Sequence, residues 1–192
     1  MNLANGITVA RILVIPVVMV LLLVKLPYGE YLAAAVFALA AVTDTIDGWV
    51  ARASNQVTVI GKLLDPLADK LLITSALIGL VAQGQPWALH PWIATLIISR
   101  EFAVTGLRMV AVGEGLVIPA SAWGKVKTFA QVLAVIVWIL RPRLVSLPGP
   151  AGLYEGMAWA LMGVAVVLTV VSGVDYFVRA RDILVVSSDG CR

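Results

Sequence analysis

Charge is scarce in this chain, and so are the residues that usually carry metal or redox chemistry. Of 192 residues only 13% are charged, one is cysteine and one is histidine. A soluble domain is about 25% charged and about 45–50% apolar, whereas this chain is 61% hydrophobic with a mean hydropathy of +1.00. So much apolar surface does not fit inside a core of this size, which makes the bilayer the solvent for most of it. The lone Cys191 lies in a polar tail, so no internal disulfide forms and thiol redox chemistry is not expected. The lone His90 and the lone cysteine also argue against a zinc site. The first apolar stretch, ILVIPVVMVLLLV, has no small-residue cleavage site behind it and is taken as a membrane helix, not a secretory signal. Basic residues are scattered among apolar runs instead of forming a stripe interleaved with aromatics, so no nucleic-acid partner is expected.

Apolar windows of about 20 residues mark helical spans. Six are expected, over roughly 7–25, 30–50, 65–83, 87–111, 122–141 and 153–177. The breaks between them hold Pro and Gly clusters, among them Lys25 to Gly29, Gln83 to Pro86 and Arg141 to Pro150. The expected fold is all-α: a single polytopic membrane domain over 1–192 with six transmembrane helices. With six spans, Arg11, Arg52, Lys62, Lys70, Arg100, Arg108, Lys125, Lys127, Arg179, Arg181 and Arg192 fall on one side, and Lys25, Arg141 and Arg143 on the other. The positive-inside bias then places both termini in the cytoplasm.

The acidic residues are concentrated where span 2 ends and span 3 begins. Asp44 and Asp47 lie about 60° apart around a helix axis, and Asp65 and Asp69 about 40° apart. Each pair therefore points one way. A single aspartate at mid-membrane costs on the order of 2.5 to 3.5 kcal/mol on the insertion scale, and four carboxylates together repel one another. Arg52 and Lys70 are too few to neutralise them, so cations from outside are expected. All four ligands offer hard oxygen, which suits Mg2+ or Mn2+. Two ions bridged by shared carboxylates would balance the charge and are a common device for displacement at phosphorus. Gly48, Ala51 and Gly61 leave room for a ligand near the backbone, and Arg52 is placed to grip a diphosphate. Pro66 is expected in the first turn of span 3, where a missing N–H costs little.

Written as a pattern, Asp44, Asp47, Gly48, Ala51, Arg52, Gly61, Asp65 and Asp69 give D-x-x-D-G-x-x-A-R, eight residues, then G-x-x-x-D-x-x-x-D. This resembles the signature of the CDP-alcohol phosphotransferases, membrane enzymes that join a CDP-linked donor to an alcohol and release CMP. Three more segments, Asn5 to Arg11, SREFAVTGLRMVAVGEGLVIPAS at 99–121 and GKVKTFAQ at 124–131, resemble the bacterial branch that makes phosphatidylglycerophosphate. Gly6 stands where that branch often has proline. The resemblance implies six helices around a polar cavity open to the cytoplasm, a homodimer and a place in the bacterial inner membrane. It implies that Asp44, Asp47, Asp65 and Asp69 bind metal, with Asp69 also the general base. It further implies that Gly48, Ala51, Arg52 and Gly61, with Asn5 and Thr8 of the first segment, hold the CDP group. The donor is then CDP-diacylglycerol and the acceptor sn-glycerol 3-phosphate.

The acceptor brings a dianion, for which Arg100, Arg108, Lys125 and Lys127 are the candidate cations near the ends of spans 4 and 5. Arg100 and Arg108 are eight residues apart and Lys125 and Thr128 three apart, so each pair can share a helix face. Glu101 is a candidate to orient one of them. His90, between Trp87 and Trp92, belongs to the opposite, interfacial end. ArgAlaArg at 179–181 is expected at anionic lipid headgroups. Two alternatives stay open. The same chemistry with inositol phosphate as acceptor suits the same cations. A cation-coupled transporter would also use intramembrane acids, although it predicts midplane carboxylates and matched halves.

Overall fold

A computed structural model describes the backbone of residues 3–24, 26–53, 59–113, 122–148 and 150–189, and the side chains of 12–24, 26–43, 70–113, 124–148 and 150–181. It contains six helices, α1 (Leu3–Leu23), α2 (Gly29–Ala53), α3 (Val59–Ala82), α4 (Pro91–Gly113), α5 (Ala122–Val145) and α6 (Ala151–Asp189), and no strand among the described residues. The six expected segments are therefore the six helices. Several boundaries moved, among them those of α3, α4, α5 and α6. Helix α4 starts at Pro91 and not at 87, because proline suits a first helical position and the His90 carbonyl accepts from Ile93 N–H at 3.0 Å. Helix α3 begins at Val59, so Pro66 is its eighth residue and not part of its first turn. Helix α6 runs twelve residues past 177, through charged positions that end an apolar window without breaking a helix. There Arg179 pairs with Asp175 at 2.9 Å one turn earlier.

Among the described side chains, α5 and α6 are long and apolar enough to cross a membrane, over Gly124–Val145 and Ala151–Arg181. Shorter apolar stretches occupy Ile12–Leu23, Gly29–Thr43 and Lys70–Ala82. Large apolar side chains such as Leu39, Val112, Phe129 and Val167 stand exposed around the bundle, as lipid-facing residues do.

The helix contacts close into a ring in the order α1, α2, α5, α6, α4, α3 and back to α1, with α3 also touching α5 and α2 across the middle. Trp138, Phe37, Leu77, Leu80, Ile97, Ile139 and Met162 fill the centre, fully buried. Helices α1 and α3 approach closely at Gly79, where a Cβ would stand 2.8 Å from Leu22 Cδ1 and 3.2 Å from Met19 Sδ. A small residue is what permits that contact.

At one end of the bundle two arginines act as clasps. Arg141, buried near the end of α5, makes a bidentate pair with Glu155 of α6 and lies against the rings of Trp138, Trp87 and Trp159 at 4.8, 5.5 and 5.8 Å. Arg143 bonds Glu30 of α2 at 3.0 Å and covers the ring of Tyr28, whose φ of 64° turns the chain into α2. These contacts carry α5 through Pro142 to Val145, past the expected stop at 141. Their charges serve packing. His90 is exposed here, 6.2 Å from the Trp159 ring, and Trp92 is exposed as an interfacial tryptophan would be.

Candidate active site

The acidic motif spans the last turns of α2 and the first half of α3, which are separated only by residues 54–58. The side chains of Asp44, Asp47, Gly48, Ala51, Arg52, Gly61, Asp65 and Asp69, and those of Asn5 and Thr8, lie outside the described residues. The described part of the site begins at the next residue, Lys70.

Lys70 leads directly to the basic set. Its Nζ is 3.4 Å from Glu101 Oε2. On the other oxygen, Oε1, Glu101 accepts from Arg100 Nη1 at 3.1 Å and from Lys127 Nζ, with Gln131 Nε2 at 3.5 Å. One carboxylate of α4 thus gathers cations from α3, α4 and α5. The centre of this cluster is nearly sealed, with the Glu101 and Lys127 side chains 6% and 3% exposed, while Arg100 and Lys70 keep 13% and 20%. Arg100 and Lys127 bring two positive charges to one carboxylate, and a buried charge that is not matched is expensive. Among the described residues the cluster keeps an excess of positive charge, and that excess suits an anion.

The four candidate acceptor cations are not all in this cluster. Arg100 and Lys127 are. Arg108 lies eight residues farther along α4, about 12 Å at helical rise, with its guanidinium 5.5 Å over the Tyr176 ring of α6. Arg100 and Arg108 do share a face, as expected, and that face is turned to α6. Lys125 is exposed on the first turn of α5, and no described contact joins it to Glu101. Thr128, three residues on, donates to the Gly124 carbonyl at 3.0 Å. Lys70, Gln131 and the α6 residues Thr169 and Ser172 were not among the acceptor candidates. Only Lys70 carried a signal, its place beside Asp69.

For divalent ions, the donor chemistry of the four aspartates fits: oxygen ligands only, in two pairs on consecutive helices. Among the described side chains there is no second group of three or more metal-binding residues. Lys70, next in sequence to Asp69, meets Glu101 of α4.

A family model for CDP-alcohol phosphatidyltransferase matches residues 1–171. The chain belongs to that family. Similar CDP-alcohol phosphatidyltransferases cover nearly the whole chain. The CDP-diacylglycerol--glycerol-3-phosphate 3-phosphatidyltransferase of Bacillus subtilis (strain 168) is 44% identical over 203 aligned positions, 97% of this chain and 99% of the relative. A probable phosphatidylglycerophosphate synthase of Mycobacterium tuberculosis (strain ATCC 25618 / H37Rv) is 43% identical, covering 95% of this chain and 83% of the relative. The CDP-diacylglycerol--glycerol-3-phosphate 3-phosphatidyltransferase of Rickettsia bellii (strain RML369-C) is 36% identical over 92% of this chain and 93% of its own length. Within the CDP-alcohol phosphatidyltransferases, the basic cluster around Glu101 therefore sits in a chain whose relatives are named for a phosphorylated acceptor.

Proposed function

We propose that this protein transfers the phosphatidyl group of CDP-diacylglycerol to sn-glycerol 3-phosphate, giving phosphatidylglycerophosphate and CMP. The observation that carries the acceptor is the buried cationic cluster of Lys70, Arg100 and Lys127 on Glu101, which begins one residue after Asp69. A cluster rich in positive charge, centred on Arg100 and Lys127, adjoins the acidic pair that carries the chemistry in this reading. Relatives named for glycerol 3-phosphate, over almost their whole lengths, support the same acceptor.

In the mechanism that follows, Arg100 and Lys127 hold the acceptor phosphate, the arginine through paired N–H groups and the lysine as a point charge, and Arg108 and Lys125 are the more distant cations that draw it in. Asp69 takes the proton from the acceptor's free hydroxyl. The oxygen attacks the lipid-side phosphorus of the donor, a new P–O bond forms, and the P–O bond to CMP breaks. Asn5, Thr8, Gly48, Ala51, Arg52 and Gly61 hold the CDP group. Asp44, Asp47, Asp65 and Asp69 would hold two divalent ions, Mg2+ or Mn2+, which when bound neutralise charge on the phosphates and on the departing CMP. The full architecture belongs to the same reading: one domain over 1–192, six spans, a cavity open to the cytoplasm, both termini cytoplasmic in a bacterial inner membrane, and a homodimer.

The test is CMP release from CDP-diacylglycerol by purified protein with Mg2+, comparing glycerol 3-phosphate with inositol phosphate. Release driven by glycerol 3-phosphate alone is expected. Release driven by inositol phosphate would overturn the acceptor and keep the chemistry. With no release in either case the phosphatidyl transfer falls, and cation-coupled transport becomes the reading to test.

A further inference from the structure

Helix α6 carries none of the signature residues, yet one of its faces backs the cationic cluster. Thr169, Ser172, Gly173 and Tyr176 lie within about 100° of one another around the axis. Thr169 Oγ1 accepts from Gln131 Nε2 at 2.9 Å, and Gln131 in turn reaches Glu101. Ser172 Oγ accepts from Arg100 Nη2 at 2.9 Å. Farther along, the Tyr176 ring lies under Arg108.

Two details make this face more than a packing surface. The hydroxyls of Thr169 and Ser172 donate to helix carbonyls, of Ala165 at 2.6 Å and Leu168 at 2.5 Å. With their protons committed there, both oxygens present lone pairs to α4 and α5 and can only accept. Gly173 adds a notch: a Cβ at this position would stand 3.1 Å from Arg100 Cγ and 3.4 Å from its Nε. The Arg100 stem lies directly against the α6 backbone because nothing projects there.

We infer that Ser172 and Gly173 are positioning residues that aim Arg100 at the acceptor phosphate. The notch fixes the stem, Ser172 fixes one terminal nitrogen and Glu101 fixes the other. Each terminal nitrogen of a guanidinium carries two N–H groups, so one on each stays available among the described contacts. That pair forms a fork suited to two phosphate oxygens. An arginine held at three points gives up little side-chain entropy when the phosphate arrives. The inference rests on the phosphatidyl-transfer reading and adds to it the helix that sets acceptor affinity.

The experiment measures CMP release with Mg2+, varying glycerol 3-phosphate and CDP-diacylglycerol separately, for the parent, Ser172→Ala, Ser172→Thr and Gly173→Ala, with melting temperature in detergent as the folding check. Ser172→Ala is expected to raise KM for glycerol 3-phosphate by at least about tenfold, the lower end of what losing one hydrogen bond to a charged group costs. KM for CDP-diacylglycerol stays at the parent value. Ser172→Thr keeps the hydroxyl and restores the parent constant, and Gly173→Ala shifts the same constant in the same direction. If Ser172→Ala does not fold, Gly173→Ala carries the same comparison. Unchanged acceptor KM in both variants, or a rise in both KM values together with a lower melting temperature, would overturn the positioning role while transfer by the parent stands. A parent that releases no CMP would instead remove the transfer reading on which the inference rests.

Discussion

Lys127 of α5 donates to Glu101 of α4 inside the bundle, and Arg100 and Lys70 meet the same carboxylate. Removing that anion leaves positive charges buried against one another. Glu101→Ala is expected to destabilise the protein by about 3–5 kcal/mol, the usual cost of breaking a buried pair from one side. Glu101→Gln keeps an acceptor oxygen for Lys127 and is expected to cost less. Thermal unfolding of the three proteins in one detergent checks the order, which fails if glutamine is as damaging as alanine.

At the other end of α5 the clasp should affect stability without touching acceptor binding. Arg141 is fourteen residues from Lys127, about 21 Å along the helix. Arg141→Ala breaks the Glu155 pair and removes the cation from three indole faces, with an expected loss of about 1–3 kcal/mol, since Glu155 is 35% exposed and water can take the place of its partner. KM for glycerol 3-phosphate, measured where the variant remains folded, is expected to match the parent. A changed acceptor KM would mean that the two ends of α5 are coupled.

The close approach of α1 and α3 gives a steric test. Gly79→Val drives a branched side chain into Leu22 and Met19, at an expected cost of about 1–3 kcal/mol for overpacking. Gly163 is the control, since a Cβ there meets nothing within 4 Å. Gly163→Ala is expected to be neutral or slightly stabilising. Equal melting temperatures for Gly79→Val and the parent would contradict the helix contact.

Metal removal separates the acidic motif from the basic one. Chelation is expected to abolish CMP release and added Mg2+ to restore it, with Zn2+ failing because the ligands are all oxygen. Asp69→Asn is expected to lower the rate by about 10²- to 10⁴-fold, the typical contribution of a positioned base, and Mg2+ should not rescue it. Full activity in the chelated protein would refute the metal assignment.

Six helices were legible in the sequence because each carries a long apolar run bounded by Pro and Gly clusters or charge. The end of α6 was not, since Asp175 and Arg179 lower the hydropathy while pairing along the helix. The basic residues were legible as a set, but their division was not. Lys127 and Arg100 share a carboxylate whereas Arg108 lies on an aromatic ring, and that difference is tertiary. Glu101 could be suspected from its place beside Arg100. Its partners lie 26 and 30 positions away in Lys127 and Gln131 and on the far side of the loop in Lys70, so nothing local announced a hub. Thr169 and Ser172 were the least visible, because hydroxyls in an apolar helix so often bond their own backbone, as these also do.

Helix α6 is long enough to serve as a yardstick. Its apolar run from Ala151 to Arg181 holds 31 residues, about 46 Å at helical rise, against the roughly 30 Å hydrocarbon thickness of a typical bilayer. A helix longer than the lipid is thick tilts or stands proud of the surface. Ser172 lies about 32 Å along this run from Ala151, so in a membrane the height of its contact with Arg100 would follow the thickness of the lipid.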